Sequence, residues 1–263
     1  MSELSLDGVA LRAAAGGGLW TSVTVVPSTG STNADLLVAG GPEGQVLVAE
    51  EQTAGRGRMG RGWVSEPGAA LTFSVLLRPE AALGPRRGWL PLLAGVAVAT
   101  AVRTVSGLTA TLKWPNDVLI GDRKVCGILA EQSADAVVIG TGINVATPAG
   151  ALPGAPSGPG GLRATSLAVE GAGVPRDVLL VEVLRQIERR YTGFRANPDP
   201  AANGLLADYE ALCATLGRTV RVELPAGRTL TGEAAGIDAD GRLLVTAAGR
   251  TTAVSAGDVI HVR

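Results

Sequence analysis

Two kinds of hydrophobic pattern divide the chain. Up to about residue 216, short apolar runs typical of β-strands alternate with longer stretches whose apolar residues recur at helical spacing. From Arg218 onward, five short alternating segments are separated by PAG, ADG and AAG turns, which predicts strands and hairpins without helices. We therefore predict an α+β fold, with a mixed β-sheet domain flanked by helices over residues 1–216 and a small SH3-like β-barrel over residues 217–263.

The same pattern gives approximate bounds for the individual elements. A short N-terminal helix is followed by a helix over Ala34–Val38, with Ser31 or Thr32 as its N-cap. The long helices are predicted at Trp89–Val105, Pro175–Phe194 and Leu205–Leu216. The strands are predicted at Ser22–Val26, Val46–Glu50, Leu71–Leu77, Leu112–Ile120, Val125–Gln132 and Ala136–Ile139.

Composition and charge narrow the class of protein. Apolar residues make up 46% of the 263 residues and charged residues 18%, as in an ordinary globular enzyme, and a net charge of −1 argues against broad electrostatic binding to nucleic acid. The longest uncharged apolar stretch, Gly88–Val102, is shorter than the ~20 residues of a membrane span. The N-terminus lacks the features of a secretory signal, and Cys126 and Cys213 have no metal-like spacing. We therefore expect a cytoplasmic protein that does not bind membranes.

The single histidine restricts the chemistry. His261 lies near the C-terminal end, which disfavours Ser-His-Asp or Cys-His catalysis and histidine-rich metal sites. Reaction chemistry must then depend on lysine, arginine, aspartate, asparagine and backbone groups. That inventory suits the stabilisation of phosphate charge better than general-base hydrolysis.

A glycine-rich run with three arginines, AGRGRMGRGW at residues 54–63, is the most distinctive segment. Its glycines allow close approach of the backbone to a ligand, and the guanidinium groups of Arg56, Arg58 and Arg61 suit carboxylate and phosphate oxygens. The run lies between two strand-like segments. It therefore predicts a mobile loop that folds over an anionic ligand.

Two other interpretations of this run fit the sequence less well. Glycine–arginine runs also form disordered RNA-binding segments, but those are usually long and repetitive. Gly55, Gly57 and Gly60 also match the G-x-G-x-x-G dinucleotide fingerprint, which would make the protein an NADP-dependent oxidoreductase. That fingerprint requires a helix beginning near Arg58, and the following RGWVSEPGA, with its glycines and proline, disfavours one.

Two motifs offer polar groups at predicted element boundaries. STN at residues 31–33 opens a helix, where hydroxyls and free amides can hold a carbonyl or ureido group, although a plain N-cap is the alternative. GTGINV ends a strand at residues 140–145, and its Asn144 carries an amide that can pair with adenine.

Two further motifs carry the lysines. KWPNDV at residues 113–118 combines the Lys113 charge with Asn116 and Asp117, which offer oxygen ligands for Mg²⁺-nucleotide, although these residues also favour a plain β-turn. RKVCGILAE places Lys124 at the start of a buried strand, where it needs an anionic partner or a path to solvent. Gly127 in the same motif indicates a close approach by another group.

Taken in order, STGSTN, EQTAGRGRMGRGW, KWPNDV, KVCGILAE and GTGINV resemble the motifs of biotin–protein ligases. The resemblance spans Ser28–Val145, and the C-terminal strands resemble the SH3-like domain of that family. It implies a class II synthetase-like fold for the first domain, of the biotin/lipoate ligase type. It also implies an enzyme that joins biotin to ATP as biotinyl-5′-AMP, with Mg²⁺, and transfers biotin to one lysine of a biotin carboxyl carrier domain of a carboxylase.

The resemblance also implies roles for residues. Lys124, Arg58, Lys113 and Asp117 would be catalytic, with Asp117 as the Mg²⁺ ligand. Residues implied in biotin binding are Ser31, Thr32, Asn33, Gln52, Gly55, Arg56, Gly57, Arg58, Lys124 and Gly127. Residues implied in nucleotide binding are Arg56, Arg58, Arg61, Trp63, Lys113, Asn116, Lys124 and Asn144.

The sequence differs from the family pattern in two respects, and it allows two alternative functions. Only about twenty residues precede the first strand, too few for the helix-turn-helix domain of members that repress transcription, so we expect no DNA binding. Met59 lies where relatives often carry a basic residue. A lipoate–protein ligase-like acyltransferase shares the fold, and a non-catalytic nucleotide-binding regulator is a third possibility. The oligomeric state stays open.

Overall fold

A seven-stranded mixed sheet and a five-stranded antiparallel sheet form the framework of the computed structural model, which describes residues 6–64, 66–154, 161–224, 228–255 and 257–262. The α-helices within those residues are α1 (Gly8–Ala15), α2 (Thr32–Ala39), α3 (Trp89–Ser106), α4 (Arg176–Ala196) and α5 (Leu205–Leu212). The strands of the large sheet are β1 (Ser22–Val26), β2 (Gln45–Ala49), β3 (Ala70–Leu77), β4 (Ala110–Lys113), β5 (Asp117–Ile120), β6 (Arg123–Ser133) and β7 (Ala136–Asn144). The strands of the small sheet are β8 (Thr219–Glu223), β9 (Thr229–Ile237), β10 (Leu243–Ala247), β11 (Arg250–Val254) and β12 (Asp258–His261).

The large sheet has a different environment on each face. Its strand order is β1-β2-β3-β7-β6-β5-β4, with β1 and β2 parallel and the other neighbours antiparallel. Successive side chains of a strand point to opposite faces. Along β7, Ile139 and Ile143 therefore join the main core with α3 and α4, whereas Val138 and Gly140 face α2. The face that carries α2 also carries the cleft described below.

The small sheet is fastened to the large one through two tryptophans. The Trp89 indole donates a 3.0 Å hydrogen bond to the Ala239 carbonyl, and the Trp114 indole donates one of 3.1 Å to the Gly241 carbonyl. Both tryptophans are buried, so each hydrogen bond satisfies a donor that burial would otherwise leave without a partner. The turn between β9 and β10 is thereby held against the start of α3 and the end of β4.

Most predicted elements are confirmed, and three boundaries were wrong. Strand β7 continues to Asn144, whereas the predicted strand ended at Ile139. The segment predicted as one strand over Leu112–Ile120 is a hairpin of β4 and β5, with Lys113 opposite Asp117. Pro115 has no N–H to donate to a sheet, so the chain turns there. Helix α5 ends at Leu212 rather than Leu216, because Cys213 pairs with Leu112 and the chain leaves the helix to meet β4.

The dinucleotide-fold interpretation is wrong. One turn of 3-10 helix, Arg58–Gly60, follows the glycines where that fold needs an α-helix, and β2 pairs antiparallel with β3. The five small-sheet strands are confirmed in the order β11-β10-β9-β8-β12, while closure into an SH3-like barrel stays a prediction.

Helix α3 with the turn before it, Ala81–Ser106, is apolar and long enough to cross a membrane by length and composition alone. Within the fold, 67% of its most apolar stretch is buried. It packs against α4, β4 and β6 as a core helix.

Candidate functional site

A cleft of about 700 Å³ lies between the α2 face of the large sheet, the glycine-rich loop and the edge of the small sheet. We call residues 54–64 the flap. The cleft has the size expected of a small-molecule site. The sequence-predicted residues that line it are Ser31, Thr32, Asn33, Gln52, Arg56, Gly57, Arg58, Arg61, Trp63, Lys113, Asn116, Asp117, Lys124, Gly127 and Asn144.

Gly55 is the one predicted site residue that does not line this cleft. It borders an adjoining groove on the flap, together with Glu131. A Cβ atom on Gly55 would lie 2.5 Å from the carbonyl oxygen of Trp63, so glycine is needed there for the flap to fold back on itself.

The floor of the cleft is made of glycines because other groups lie directly on it. A Cβ atom at Gly142 would lie 2.4 Å from the Trp63 indole, and one at Gly140 would lie 2.4 Å from the Asn33 amide. At Gly127 the nearest atoms would be those of Lys124 and Trp63, at 3.1 to 3.3 Å. The close approach predicted at Gly127 is therefore confirmed, and the indole of Trp63 lies against Gly127 and Gly142 of the sheet.

One end of the cleft is polar and neutral. Ser31 caps α2 by accepting the Ala34 N–H, and the N–H and hydroxyl of Thr32 lie 2.8 and 3.0 Å from Gln52 Oε1. With its oxygen so engaged, Gln52 keeps its amide hydrogens for other acceptors, and the Ser31 hydroxyl keeps its proton. This end can therefore donate hydrogen bonds to a small neutral polar group.

The other end of the cleft is cationic. Lys124 Nζ lies 2.6 Å from Asp117 Oδ1, so the anionic partner that the sequence required for this lysine is Asp117. Apart from this ion pair, that buried oxygen has no polar partner among the described residues, and it keeps capacity for a further ligand. The backbone of Lys124 is fixed by pairing with residues 163–165.

Lys113 is the most buried cation of the cleft. Its side chain is 8% exposed and makes no salt bridge within the described part of the chain. Burial lowers the pKa of Lys113, and the charge of Lys124 lowers it further, while Asp117 acts in the opposite direction. A buried ammonium without an ion pair is costly unless an anion joins it.

The flap arginines reach three different partners. Arg58 donates to the Asn116 side-chain oxygen at 3.3 Å, and burial lowers the pKa of its guanidinium. Arg61 donates to Asp258 of the small sheet at 2.8 Å. Arg56 is more exposed and lies 3.8 Å from Glu131. Met59, at the tip of the flap, has a left-handed backbone (φ 56°) and is exposed.

Asn144 is buried at the end of β7. Its side-chain nitrogen donates a 2.9 Å hydrogen bond to the Thr165 carbonyl, which fixes the orientation of the amide. Gly161 and Leu162, from the Pro/Gly-rich loop at 147–163, also line the cleft. Residues 155–160 of that loop lie outside the described residues.

Sequence reasoning missed several residues of the site. Ser74 is fully buried between Thr32 and Asn33, and its only signal was a polar residue within the apolar strand LTFSVLL. Glu131 closed the KVCGILAE motif without being assigned a role. Asp258 and Glu223 line the cleft from the small sheet, and no local pattern marks either of them as part of the site.

Comparison with known proteins gives a consistent result over the whole chain. Residues 20–144 match the model of the biotin/lipoate A/B protein ligase family, and residues 215–262 match that of the biotin protein ligase C-terminal domain. The biotin--[acetyl-CoA-carboxylase] ligase of Mycobacterium tuberculosis is 44% identical over 100% of this chain and 96% of its own length. The bifunctional ligase/repressor of Bacillus subtilis is 35% identical over 84% of this chain and 67% of its own.

A solved structure is also similar. The biotin protein ligase from Aquifex aeolicus in complex with biotin and ATP superposes with a TM-score of 0.76 at 29% identity. The superposition covers 91% of this chain and 98% of that one.

Proposed function

The chain belongs to the biotin protein ligase family, and we propose that its cleft carries out both steps of biotin transfer with the residues described above. It is a ligase that activates biotin with ATP and transfers it to a carboxylase. In the first step, a biotin carboxylate oxygen forms a bond to the α-phosphorus of ATP, and pyrophosphate leaves. In the second, the ε-amine of a carrier lysine attacks the biotinyl carbonyl, and AMP leaves as the amide forms.

The buried ammonium of Lys113 is the observation that best supports this assignment of the site. The chain contains 23 lysines and arginines, and only Lys113 and Lys124 are lysines. Both line the cleft, together with Arg58 and Arg61. Two anions must approach each other in the first step, and fixed cations at that point lower the energy of the charged transition state.

The two ends of the cleft suit different parts of the substrates. We place the biotin ureido group at the end formed by Ser31, Thr32 and Gln52, where donors are available for a neutral oxygen. We place the biotin carboxylate and the phosphates at Lys113, Lys124 and the flap arginines. The adenine ring then lies near Trp63 and Asn144, and closure of the flap excludes water from the mixed anhydride.

Magnesium fits this site only as a partner of the nucleotide. The described residues contain no cluster of three or more acidic, histidine or cysteine side chains that could hold a metal ion alone. Asp117, however, has a buried carboxylate oxygen whose one polar partner among the described residues is the Lys124 ammonium, and Mg²⁺ is usually held by one or two carboxylates together with phosphate oxygens and water. Asp117 would hold the ion, which would supply further positive charge to the triphosphate.

The domain bounds, the protein substrate and the cellular location are part of the same proposal. We propose a catalytic domain over residues 1–216 and a C-terminal domain over 217–263, a carrier domain of a carboxylase as the protein substrate, and a cytoplasmic location. The C-terminal sheet already contributes Asp258 and Glu223 to the cleft wall. The absence of DNA and membrane binding stays a prediction.

The decisive experiment combines the protein with ATP, Mg²⁺, biotin and a biotin carboxyl carrier domain. We expect pyrophosphate release that depends on biotin and a mass gain of one biotinyl group on the carrier. Release without biotin, or an unchanged carrier mass, would contradict the proposal. Lipoate added in place of biotin tests the related acyltransferase, for which the hydrogen-bonding end at Thr32 and Gln52 has no evident partner.

A variant tests the placement of the chemistry. Lys124→Ala should abolish adenylate formation, because it removes the ammonium next to Asp117 at the cationic end of the cleft. Its far-ultraviolet circular dichroism should match that of the wild type. Full turnover in this variant would mean that the reacting groups bind elsewhere.

A further inference from the structure

The carboxylate of Glu131 lines the groove that adjoins the cleft, and it has two partners. Its Oε2 accepts a 2.8 Å hydrogen bond from the Asn33 side-chain nitrogen, and its Oε1 lies 3.8 Å from the Arg56 guanidinium. The Arg56 side chain is 60% exposed, so that second contact is weak. The hydrogen bond to Asn33 is different, because Asn33 is buried on Gly140.

Asn33 has no hydrogen left for a ligand. Its side-chain nitrogen has two hydrogens, of which one goes to the Leu129 carbonyl at 3.1 Å and the other to Glu131. Its oxygen accepts from the Ser74 hydroxyl at 2.7 Å. The resemblance implied that Asn33 contacts biotin, but the donors of this amide are already used within the protein.

The same hydrogen bonds continue to the neutral end of the cleft. The Ser74 hydroxyl also lies 2.7 Å from the Thr32 hydroxyl, and Thr32 lies against Gln52. Ser74 has one proton, and the carbonyl oxygen of Asn33 can only accept, so the orientation of the Asn33 amide decides where that proton points. Buried networks of this kind hold a defined geometry only when every member is satisfied.

We propose that Glu131 is a positioning residue for biotin, which orients the Asn33 amide and through it the Ser74, Thr32 and Gln52 groups at the ureido end of the cleft. The inference rests on the proposed placement of biotin. It assigns Glu131 no contact with substrate. Its loss leaves a buried N–H of Asn33 without a partner, and the amide then turns or takes in water.

Two substitutions separate the hydrogen bond from the charge. Glu131→Gln keeps a side-chain oxygen that can accept from Asn33, whereas Glu131→Ala removes it. Leaving a buried donor without a partner costs enough free energy to weaken binding about tenfold. We therefore expect Glu131→Ala to raise the KM for biotin about tenfold and Glu131→Gln to leave it within about twofold. The KM for ATP and the kcat should change little in either variant, and biotin titrations by calorimetry should give the same order of affinities.

A double variant tests whether Glu131 acts through Asn33. In an Asn33→Ala background, Glu131→Ala should have no further effect on the KM for biotin. Glu210→Gln, at an exposed position of α5, serves as the control for losing one carboxylate. Urea unfolding of every variant separates a loss of affinity from a loss of fold.

Three results would overturn the inference. They are an unchanged biotin KM in Glu131→Ala, a Glu131→Gln variant as impaired as the alanine variant, or an additive loss in the double variant. Failure of the proposed function has a different signature, since the wild-type protein itself would then release no pyrophosphate in response to biotin.

Discussion

The Arg61 guanidinium donates a 2.8 Å hydrogen bond to the Asp258 carboxylate and ties the flap to the last strand of the chain. Arg58 extends toward the same strand, with its guanidinium 3.5 Å from the Gly257 carbonyl oxygen. The small sheet therefore contacts the segment that covers the cleft, as well as forming part of the wall. These contacts link the position of the flap to the C-terminal domain.

Removing the Asp258 charge should loosen the flap. The pair is partly exposed, and such pairs contribute about 0.2–1 kcal/mol, so Asp258→Asn should increase trypsin cleavage after Arg58 and Arg61 by about 1.4- to fivefold in the absence of ligand. Mass spectrometry of the early fragments measures the rate of cleavage at these two arginines. Asp240→Asn, which removes a carboxylate that pairs with Arg242 in the turn between β9 and β10, should leave the rate unchanged. Equal rates in wild type and Asp258→Asn would show that the pair does not restrain the flap.

Gly142→Ala should displace Trp63 from the cleft floor. The added methyl group would lie 2.4 Å from the indole, a distance that requires the ring or the strand to move. We expect a loss of about tenfold or more in kcat/KM for ATP, since a misplacement of 1 Å can cost about a hundredfold. Indole fluorescence should change as well. Gly150→Ala, where no atom lies within 4 Å of the added group, is the matched control.

The clash can be tested directly with a second substitution. In a Trp63→Ala background the methyl group at residue 142 has no ring to meet, so Gly142→Ala should then cost little beyond the effect of Trp63→Ala. If the two substitutions instead reduced kcat/KM for ATP additively, the effect of Gly142→Ala would come from the strand and not from a clash with Trp63.

The fold was largely predictable because its elements carry strong local patterns. The alternation in the C-terminal segments and the helical spacing in α4 each fix an element from nearby residues alone. The hairpin at Pro115 is also local, since Lys113 pairs with Asp117 only four residues later, and the motif offered a proline and two turn-forming residues there. The end of α5 at Leu212 was missed for a different reason. Cys213 pairs with Leu112, far away in the sequence, and local patterns do not contain that pairing.

The part of the site that is built from sequence motifs was predictable. Single residues that other parts of the chain contribute were not. The motifs supplied almost every residue on the cleft floor and the flap. Asp258 comes from the small sheet, almost 200 residues after Arg61, and only the docking of the two sheets brings them together. Ser74 and Glu131 act by orienting neighbours, a role that depends on hydrogen-bond partners rather than residue type.

Stability should depend on pH through His261. Burial lowers the pKa of His261 from 6.5 to about 4, with Lys113 and Arg218 acting in the same direction. The unfolded chain therefore takes up this proton at a higher pH than the folded protein, and stability falls as pH decreases from 6.5 towards 4. Above pH 6.5, His261 does not contribute to the change of stability with pH.

The comparison uses His261→Gln, which can still accept a hydrogen bond from Thr215 but does not titrate. Urea unfolding between pH 7.5 and 4.5 should show a smaller loss of stability in this variant than in the wild type. Parallel slopes in the two proteins would mean that His261 is protonated equally in the folded and unfolded states.

Lys113 provides the sharpest test of the cationic end, because function and stability should respond to it in opposite ways. Its ammonium is buried and unpaired within the described residues, so replacing it with methionine should leave stability unchanged or raise it by about 1 kcal/mol. Pyrophosphate release should nevertheless fall about a hundredfold or more, since the variant loses a fixed charge at the reacting phosphates. Urea unfolding and a biotin-dependent pyrophosphate assay measure the two effects. A less stable Lys113→Met protein with full activity would mean that this lysine supports the fold and not the reaction.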